Sequence, residues 1–139
     1  MRMDKLTLKA QEALQAAQDI ATEKNHQEVQ PEHLLHALID QEGGIFPAIA
    51  QKIGASLIDL KNEVKKEIDS LPRQIGAGPG GGSLSSSMRD VMNEAWNEAV
   101  KLKDEYLSTE NVILAMYSKG GDRITRIMNG NGFTRDSIL

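Results

Sequence analysis

One nine-residue stretch occurs twice and decides the fold. The first copy is Gln30-Pro31-Glu32-His33-Leu34-Leu35-His36-Ala37-Leu38, and the second is Ser108-Thr109-Glu110-Asn111-Val112-Ile113-Leu114-Ala115-Met116. Glu32 and Glu110 are 78 positions apart. Pro31 suits the first position of a helix because its fixed φ fits there and its missing N–H would be unpaired anyway. The apolar residues that follow are spaced as on one helical face, so the pattern predicts a core helix made twice.

The same offset of 78 aligns the rest of the chain without a gap. Ser85 takes the place of the predicted helix cap Thr7, and Gly121 and Gly132 take the places of Gly43 and Gly54. Agreement through helices, caps and glycines at a single offset indicates an internal duplication. The apolar stripe of the first helix is repeated in the same way: Ala10, Ala13, Leu14, Ala17 and Ala21 correspond to Met88, Val91, Met92, Ala95 and Ala99.

Each copy predicts four helices. In the first copy they run from Thr7 to about Asn25, from Pro31 to Gly43, over residues 46–52, and from Ser56 through Leu71, where Pro72 ends the last one. No stretch alternates with a period of two, so no strand is predicted. The sequence therefore predicts an all-α fold of two pseudo-symmetric four-helix repeats, about eight helices in total.

The chain has 139 residues, the size of one domain. We assign repeat one to residues 1–72, a glycine-rich linker to 73–84 and repeat two to 85–139. The last helix begins after Thr134 and is cut off, as expected of a fragment of a longer chain. A phosphate-cradling loop is the other interpretation of the glycines, but the Gly-Lys-Ser/Thr sequence that it requires does not follow them.

Composition narrows the class of protein. The chain has no cysteine, which leaves no disulfide framework and no cysteine-based metal site. Its net charge of −4 is unsuited to nucleic acid, because binding phosphates requires clustered Lys and Arg. No apolar run approaches the roughly 20 residues of a membrane span, and the start is not a signal peptide. We expect a cytoplasmic protein that binds neither nucleic acid nor membrane.

The pattern resembles the N-terminal domain of the Clp family of AAA+ unfoldases. The resemblance covers essentially the whole chain and rests on the alanine-rich first helix and on four short motifs: Leu6-Thr7, Pro31-Glu32-His33-Leu34-Leu35, Gln41-Glu42-Gly43-Gly44 and Thr109-Glu110. The opening Met1-Arg2-Met3-Asp4-Lys5-Leu6-Thr7 and Leu71-Pro72 before the glycines are most similar to ClpB-type disaggregases.

The resemblance implies a module tethered to a hexameric, ATP-driven threading machine. Such a domain binds unfolded or aggregated polypeptide, or a co-chaperone or adaptor, and passes it to the pore. The fragment itself would then be a monomer with no catalytic site and no cofactor, while the parent chain would be a homohexameric ATPase that uses ATP and magnesium. The alternative within the family is an adaptor- or phospho-arginine-docking domain of a ClpC- or ClpA-type unfoldase that feeds a protease.

Glu32 and Glu110 are the first candidate site residues. Each lies in the first turn of its helix, where an acid gains about 0.3–1 kcal/mol from the helix dipole. Alternatively, the two carboxylates grip a guanidinium, since ClpC-type relatives use the Glu of each Glu-His motif to read phosphorylated arginine. The first copy keeps Glu32-His33, whereas the second departs from it with Glu110-Asn111.

Thr7, Asp104 and Met92 complete the candidate substrate-binding set. From the residues alone, Thr7 is a helix cap and Asp104 is a loop acid. In ClpB-type relatives, positions matching Thr7, Asp104 and Glu110 are implicated in substrate handling, and the resemblance carries that role over. They would rim an apolar groove between the first and fifth helices, with Met92 as its floor or, as methionines more often are, part of the core.

The remaining candidates point away from catalysis and metal binding. His26, His33 and His36 lack the zinc spacing of two histidines four residues apart around a Glu, so we interpret them as solvated or capping residues. Trp96 lies off the main apolar stripe and is expected to be partly buried. A small hydrolase is disfavoured because no nucleophile–base pair has a recognisable context.

Overall fold

The computed structural model describes residues 5–72 and 83–139. These residues form eight helices and two short strands, and the all-α prediction is confirmed. In chain order the elements are α1 (Leu8–Glu23), β1 (Glu28–Val29), α2 (Pro31–Asp40), α3 (Ile45–Ile53), α4 (Leu57–Asp69), β2 (Ser83–Leu84), α5 (Ser86–Lys101), α6 (Thr109–Lys119), α7 (Asp122–Gly130) and α8 (Arg135–Ile138).

Both repeats begin their first helix with the same cap. The Oγ1 atom of Thr7 accepts the Ala10 N–H at 3.2 Å, and the Oγ atom of Ser85 accepts the Met88 N–H at 3.0 Å. Each hydroxyl satisfies a donor that the first helical turn leaves without a partner in the helix. The cap predicted at Thr7 is therefore present, and its repeat equivalent works in the same way.

The prediction that the chain has no strand is wrong in one detail. Val29 in β1 pairs in parallel with Leu84 in β2, and Leu6 forms an isolated parallel bridge with Leu107. The offset of 78 relates Leu6 to Leu84 and Val29 to Leu107, so the same pairing is made twice. Each pairing joins the entry of one repeat to the middle of the other, and strands of two residues carry no period that a sequence pattern could reveal.

The nine-residue stretch that begins at Gln30 and its copy that begins at Ser108 form the central helices. Helices α2 and α6 are buried along most of their length, and α1 and α5 pack against them. The apolar residues of α2 and α6 are almost fully inaccessible: Leu34, Leu35, Leu38, Val112, Ile113 and Met116. The prediction of a core helix made twice is therefore confirmed.

Two aromatic rings join the repeats at one end of the domain. Phe46 in α3 stacks on Phe133, which precedes α8, with ring centroids 4.3 Å apart and planes within 11°. Both side chains are fully buried. The pair links the third helix of repeat one to the last turn of repeat two, so the two repeats share one core.

Two boundaries differ from the sequence interpretation. Helix α4 ends at Asp69, so the half-buried Leu71 lies just after the helix rather than on its stripe. Of the predicted glycine-rich linker 73–84, residues 73–82 lie outside the described residues, whereas Ser83–Leu84 form β2. The predicted boundaries of the repeats stay a prediction.

Candidate functional site

A groove runs along the outer face of α5 in the second repeat. Its larger part is a cavity of about 510 Å³ that contains Trp96 and Val100 on α5 and the loop acids Asp104 and Glu105. It continues past Trp96 into a cavity of about 200 Å³ that includes Leu84 and Met92. We call the two cavities together the α5 groove; its remaining lining residues are Lys5, Arg89, Asn93 and Ala99.

Exposed apolar side chains give the α5 groove its character. Val100 is 73% exposed although it lies on a helix that packs on the core, and Trp96 is half-buried as expected. Outside the lining of the groove, Tyr106 is also exposed, and the ammonium of the lining residue Lys5 lies 5.4 Å from the centre of its ring. Apolar residues with polar neighbours at the rim are typical of a surface that binds another molecule.

In the described part of the first repeat, the equivalent face of α1 is polar. The positions 78 residues before Trp96 and Val100 hold Gln18 and Thr22. The helices α1 and α5 have the same length and the same cap, so the difference lies in the side chains and not in the backbone. The duplication therefore supplies two similar scaffolds, and among the described residues the apolar outer face of the first helix is found in the second repeat.

The structure brings three of the predicted site residues to one region. The Thr7 N–H donates to the Leu107 carbonyl at 3.0 Å, and the Asn111 Nδ2 donates to the Asp104 carboxylate at 3.2 Å. Glu110 lies between these contacts, in the first turn of α6. Among the three, Asp104 lines the α5 groove, and Thr7 and Glu110 lie beside it along the chain.

The groove differs from the predicted one in its position. The sequence predicted an apolar groove between α1 and α5, but no residue of α1 lines the α5 groove. The Leu6–Leu107 bridge holds the start of α1 to the loop before α6, which leaves the outer face of α5 uncovered. Met92 is only 2% exposed, so it is a core residue that touches the smaller cavity from below. Leu14, its repeat equivalent, is also a core residue.

Glu32 lies in a different environment from Glu110. Burial of the half-buried Glu32 raises its pKa, and the charged groups that act on it are Glu67 of α4 and Arg123 of α7. Glu110 is not among the groups that shift the pKa of Glu32. Both acids lie in the first turn of a helix, where the dipole interpretation places them.

His26 and His33 are buried, whereas the sequence predicted solvated or capping histidines. His26 is 2% exposed and His33 is fully buried, and the Nδ1 atom of His26 lies 2.8 Å from the Nε2 atom of His33. His33 does cap its helix, because its Nδ1 accepts the Gln30 N–H at 2.9 Å. Burial and the neighbouring histidines lower the pKa of His33 to about 4. Within the described ranges, no cluster of three or more potential ligands could hold a metal ion.

Sequence reasoning missed that this pair is also duplicated. His26 and His33 correspond to Asp104 and Asn111, which are joined by their own hydrogen bond. The Ser108 N–H donates to the Asn111 Oδ1 at 2.8 Å, as the Gln30 N–H does to His33. The offset of 78 relates all these positions, so it was the signal in the sequence that the pair is duplicated.

An ion pair with one buried partner was missed as well. The Arg135 guanidinium makes two hydrogen bonds, of 2.7 and 2.9 Å, to the carboxylate of Glu98, which is 1% exposed. These hydrogen bonds lower the pKa of Glu98. The repeat equivalents are Ile20 and Leu57. The sequence did contain a signal for this pair: Glu98 interrupts the apolar stripe of α5, and a charge at such a position is expected to be buried with a partner.

Comparison with known proteins identifies relatives of the whole chain. The family model described as "Clp repeat (R) N-terminal domain" matches residues 5–131. The chaperone protein ClpB of Clostridium tetani is 32% identical over 141 aligned residues, and that of Bacillus anthracis is 34% identical. Each alignment covers all of this chain but 16% of the relative. The chain thus spans about a sixth of the length of these chaperones.

Solved structures share the fold. The N-terminal domain of Hsp104 from Candida albicans has a TM-score of 0.82 at 19% identity, covering 96% of this chain and 86% of that one. A ClpV N-domain in complex with a VipB peptide has a TM-score of 0.75 at 21% identity, covering 97% and 82%. In the described residues, no helix combines the length and apolar composition needed to cross a membrane.

Proposed function

Because the chain belongs to the Clp repeat N-terminal domain family, we propose that it is the substrate-binding domain of a ClpB-like chaperone. In this proposal the α5 groove engages unfolded or aggregated polypeptide and passes it to ATPase rings elsewhere in the parent chain. The parent would be a cytoplasmic homohexamer that uses ATP and magnesium, and the isolated domain would be a monomer. The two relatives named above are ClpB chaperones, which favours this function over the protease-linked alternative.

The observation that carries the proposal is the pair of apolar residues at the α5 groove. An unfolded chain differs from a folded one chiefly in the apolar side chains that it exposes. Trp96 and Val100 offer apolar surface to such side chains, while Lys5, Asp104 and Glu105 provide a polar rim. The two carboxylates of this rim can accept hydrogen bonds and the Lys5 ammonium can donate them, without requiring one particular sequence, as broad client recognition demands.

A groove of this kind is expected to bind weakly. Burying about 400 Å² of apolar surface yields about 10 kcal/mol at about 25 cal/mol/Å². Association and ordering consume about 4–15 kcal/mol. The expected affinity is therefore micromolar or weaker, which suits a domain that must release its client to a pore.

A titration with a permanently unfolded protein tests the proposal. The probe is fluorescently labelled, reduced and carboxymethylated α-lactalbumin, and the readout is anisotropy. The double substitution Trp96→Gln and Val100→Thr installs the residues of the first repeat in the groove. We expect binding to weaken about tenfold or more, since each lost apolar contact is worth about 1–2 kcal/mol.

The matched control is Ile58→Thr on α4. Ile58 is 73% exposed, the same fraction as Val100, and it lies outside the α5 groove. This variant should bind the probe as the unchanged domain does. Equal losses in both variants, or no loss in the groove variant, would contradict a specific site on α5.

A further inference from the structure

A second groove separates α1 from α2 in the first repeat. It is a cavity of about 460 Å³ whose apolar lining consists of Ala13, Ala16, Ile20 and Ala37. Three of these four side chains are single methyl groups. A groove floored by alanine allows the backbone of another helix to approach closely, so its shape suits a helix better than an irregular loop.

Carboxylates line both sides of this α1–α2 groove. Glu12, Asp19 and Glu23 follow one another along α1, and Asp40 lies on α2. Glu12 has a weak partner in Lys9 at 4.0 Å, and Asp40 pairs with Lys61 at 2.8 Å. Within residues 5–72 and 83–139, neither Asp19 nor Glu23 forms an ion pair.

The corresponding positions of the second repeat carry a different charge. Glu23 corresponds to Lys101 and Gln41 to Lys119, so two of the ten lining positions become basic. Ile20 corresponds to Glu98, whose carboxylate is already occupied by Arg135. The acidic, alanine-floored groove is thus a property of the first repeat alone and does not follow from the repeated architecture.

A buried polar atom also lies at the groove. His36 lines it, and the Nδ1 atom of this residue is inaccessible and has no hydrogen-bond partner among the described residues. The nearest acid, Asp40, is 3.6 Å away. Burial lowers the pKa of His36, so the ring is neutral at ordinary pH. Because the ring is uncharged, it does not offset the carboxylates that line the groove.

We propose that the α1–α2 groove docks an amphipathic helix of a partner protein, with an apolar face toward the alanines and Lys or Arg side chains toward Glu12, Asp19 and Glu23. These carboxylates are seven and four residues apart on α1 and span roughly 16 Å. A helix that lies along α1 meets them with basic residues at the same two spacings. This surface is separate from the α5 groove, and the proposal does not depend on client binding there.

A synthetic helix tests the proposal directly. The probe is a fluorescein-labelled peptide of roughly sixteen residues, rich in alanine and leucine on one face, with lysines seven and four residues apart at its edge. A second peptide of the same composition has its lysines moved to the opposite face. The full domain should bind the first peptide more tightly than the second, and the difference should shrink at high salt because salt screens exposed charges.

Variants of the domain locate the binding site. The triple substitution Glu12→Gln, Asp19→Asn and Glu23→Gln should weaken binding of the first peptide about tenfold, since three exposed ion pairs contribute about 0.2–1 kcal/mol each. The control triple Glu28→Gln, Glu63→Gln and Asp90→Asn removes the same charge from exposed positions outside the groove.

Each outcome decides for or against the docking surface. Unchanged binding by the control triple and by the Trp96→Gln and Val100→Thr variant supports it. Equal weakening by both charge triples would indicate nonspecific attraction to an acidic domain and would overturn the proposal. Equal binding of the two peptides, or loss of binding only in the α5 groove variant, would overturn it as well. Circular dichroism melting of each variant verifies that the fold is intact.

Discussion

The Nδ1 atom of His26 lies 2.8 Å from the Nε2 atom of His33, in the place where the second repeat joins Asp104 to Asn111. Because the Nδ1 of His33 accepts the Gln30 N–H, the neutral ring carries its hydrogen on Nε2 and donates it to His26. A second proton on His33 would remove the acceptor of the helix cap. The fold therefore requires this histidine to be neutral.

The free energy of unfolding should fall as the pH drops from about 6.5 to about 4. The unfolded chain binds a proton at His33 near pH 6.5, whereas burial holds its pKa in the folded state at about 4. The stability that depends on neutral His33 is present above the unfolded pKa and is lost as the pH falls toward the folded one. The loss should reach up to about 3 kcal/mol, measured by urea unfolding across this range.

The control for this prediction exchanges His33 for its repeat equivalent. His33→Asn should keep the helical fold, because Asn111, which is equally buried, caps α6 in the same way at the equivalent position. The slope between pH 4 and 6.5 should become shallower, with the remaining part due to His36 and the carboxyl groups common to both proteins. An unchanged slope in the exchanged protein would assign the pH dependence to other residues.

Removing Arg135 should destabilise the domain. Arg135→Ala leaves the carboxylate of Glu98 buried without the two hydrogen bonds that compensate its charge. The expected loss is about 1–3 kcal/mol at neutral pH, measured by denaturant unfolding. Because the hydrogen bonds lower the pKa of Glu98, the difference from the unchanged domain should diminish as the pH falls below about 4.5.

The double substitution Glu98→Ile with Arg135→Leu supplies the matched control. It installs the apolar residues found at the same positions in the first repeat, Ile20 and Leu57. A buried ion pair replaced by packed apolar residues is often neutral or stabilising. The double variant should therefore be clearly more stable than Arg135→Ala. If both variants lose the same stability, the ion pair is not what determines the effect.

Phe133→Ala should be the most destabilising of these changes, by about 3–5 kcal/mol. The substitution removes a fully buried ring and its stacking on Phe46, and with it the contact between α3 and the start of α8. Phe133→Leu keeps most of the volume and should lose much less. If a melting experiment finds the same loss of stability in both variants, the neighbouring side chains have moved to fill the cavity that Phe133→Ala leaves.

The duplication explains why so much of the fold could be predicted. Pro31, the caps Thr7 and Ser85, and the buried faces of α2 and α6 are local signals, and each was confirmed by the structure. The strand pairs were not predictable, because Val29–Leu84 and Leu6–Leu107 connect residues distant in sequence and are only one or two residues long.

The position of the candidate site depended on such distant contacts. Trp96 and Val100 lie on adjacent turns of one helix. Their face stays uncovered because of the position at which the loop around Asp104 is held. The burial of His26 and His33 was missed for a different reason: a polar residue is buried where the fold supplies its partner, and here the partner is another histidine only seven residues away.

The central claim is that the second repeat carries the client site on α5, and nuclear magnetic resonance shift mapping tests it most directly. Trp96 is the only tryptophan of the chain, so its indole N–H gives one unambiguous signal. On titration with the unfolded probe, we predict that this signal and the amides of Val100 and Asp104 shift most, while those of Gln18 and Thr22 stay unchanged. Equal shifts at the two sets of repeat-equivalent positions, or shifts confined to residues outside the α5 groove, would contradict the account.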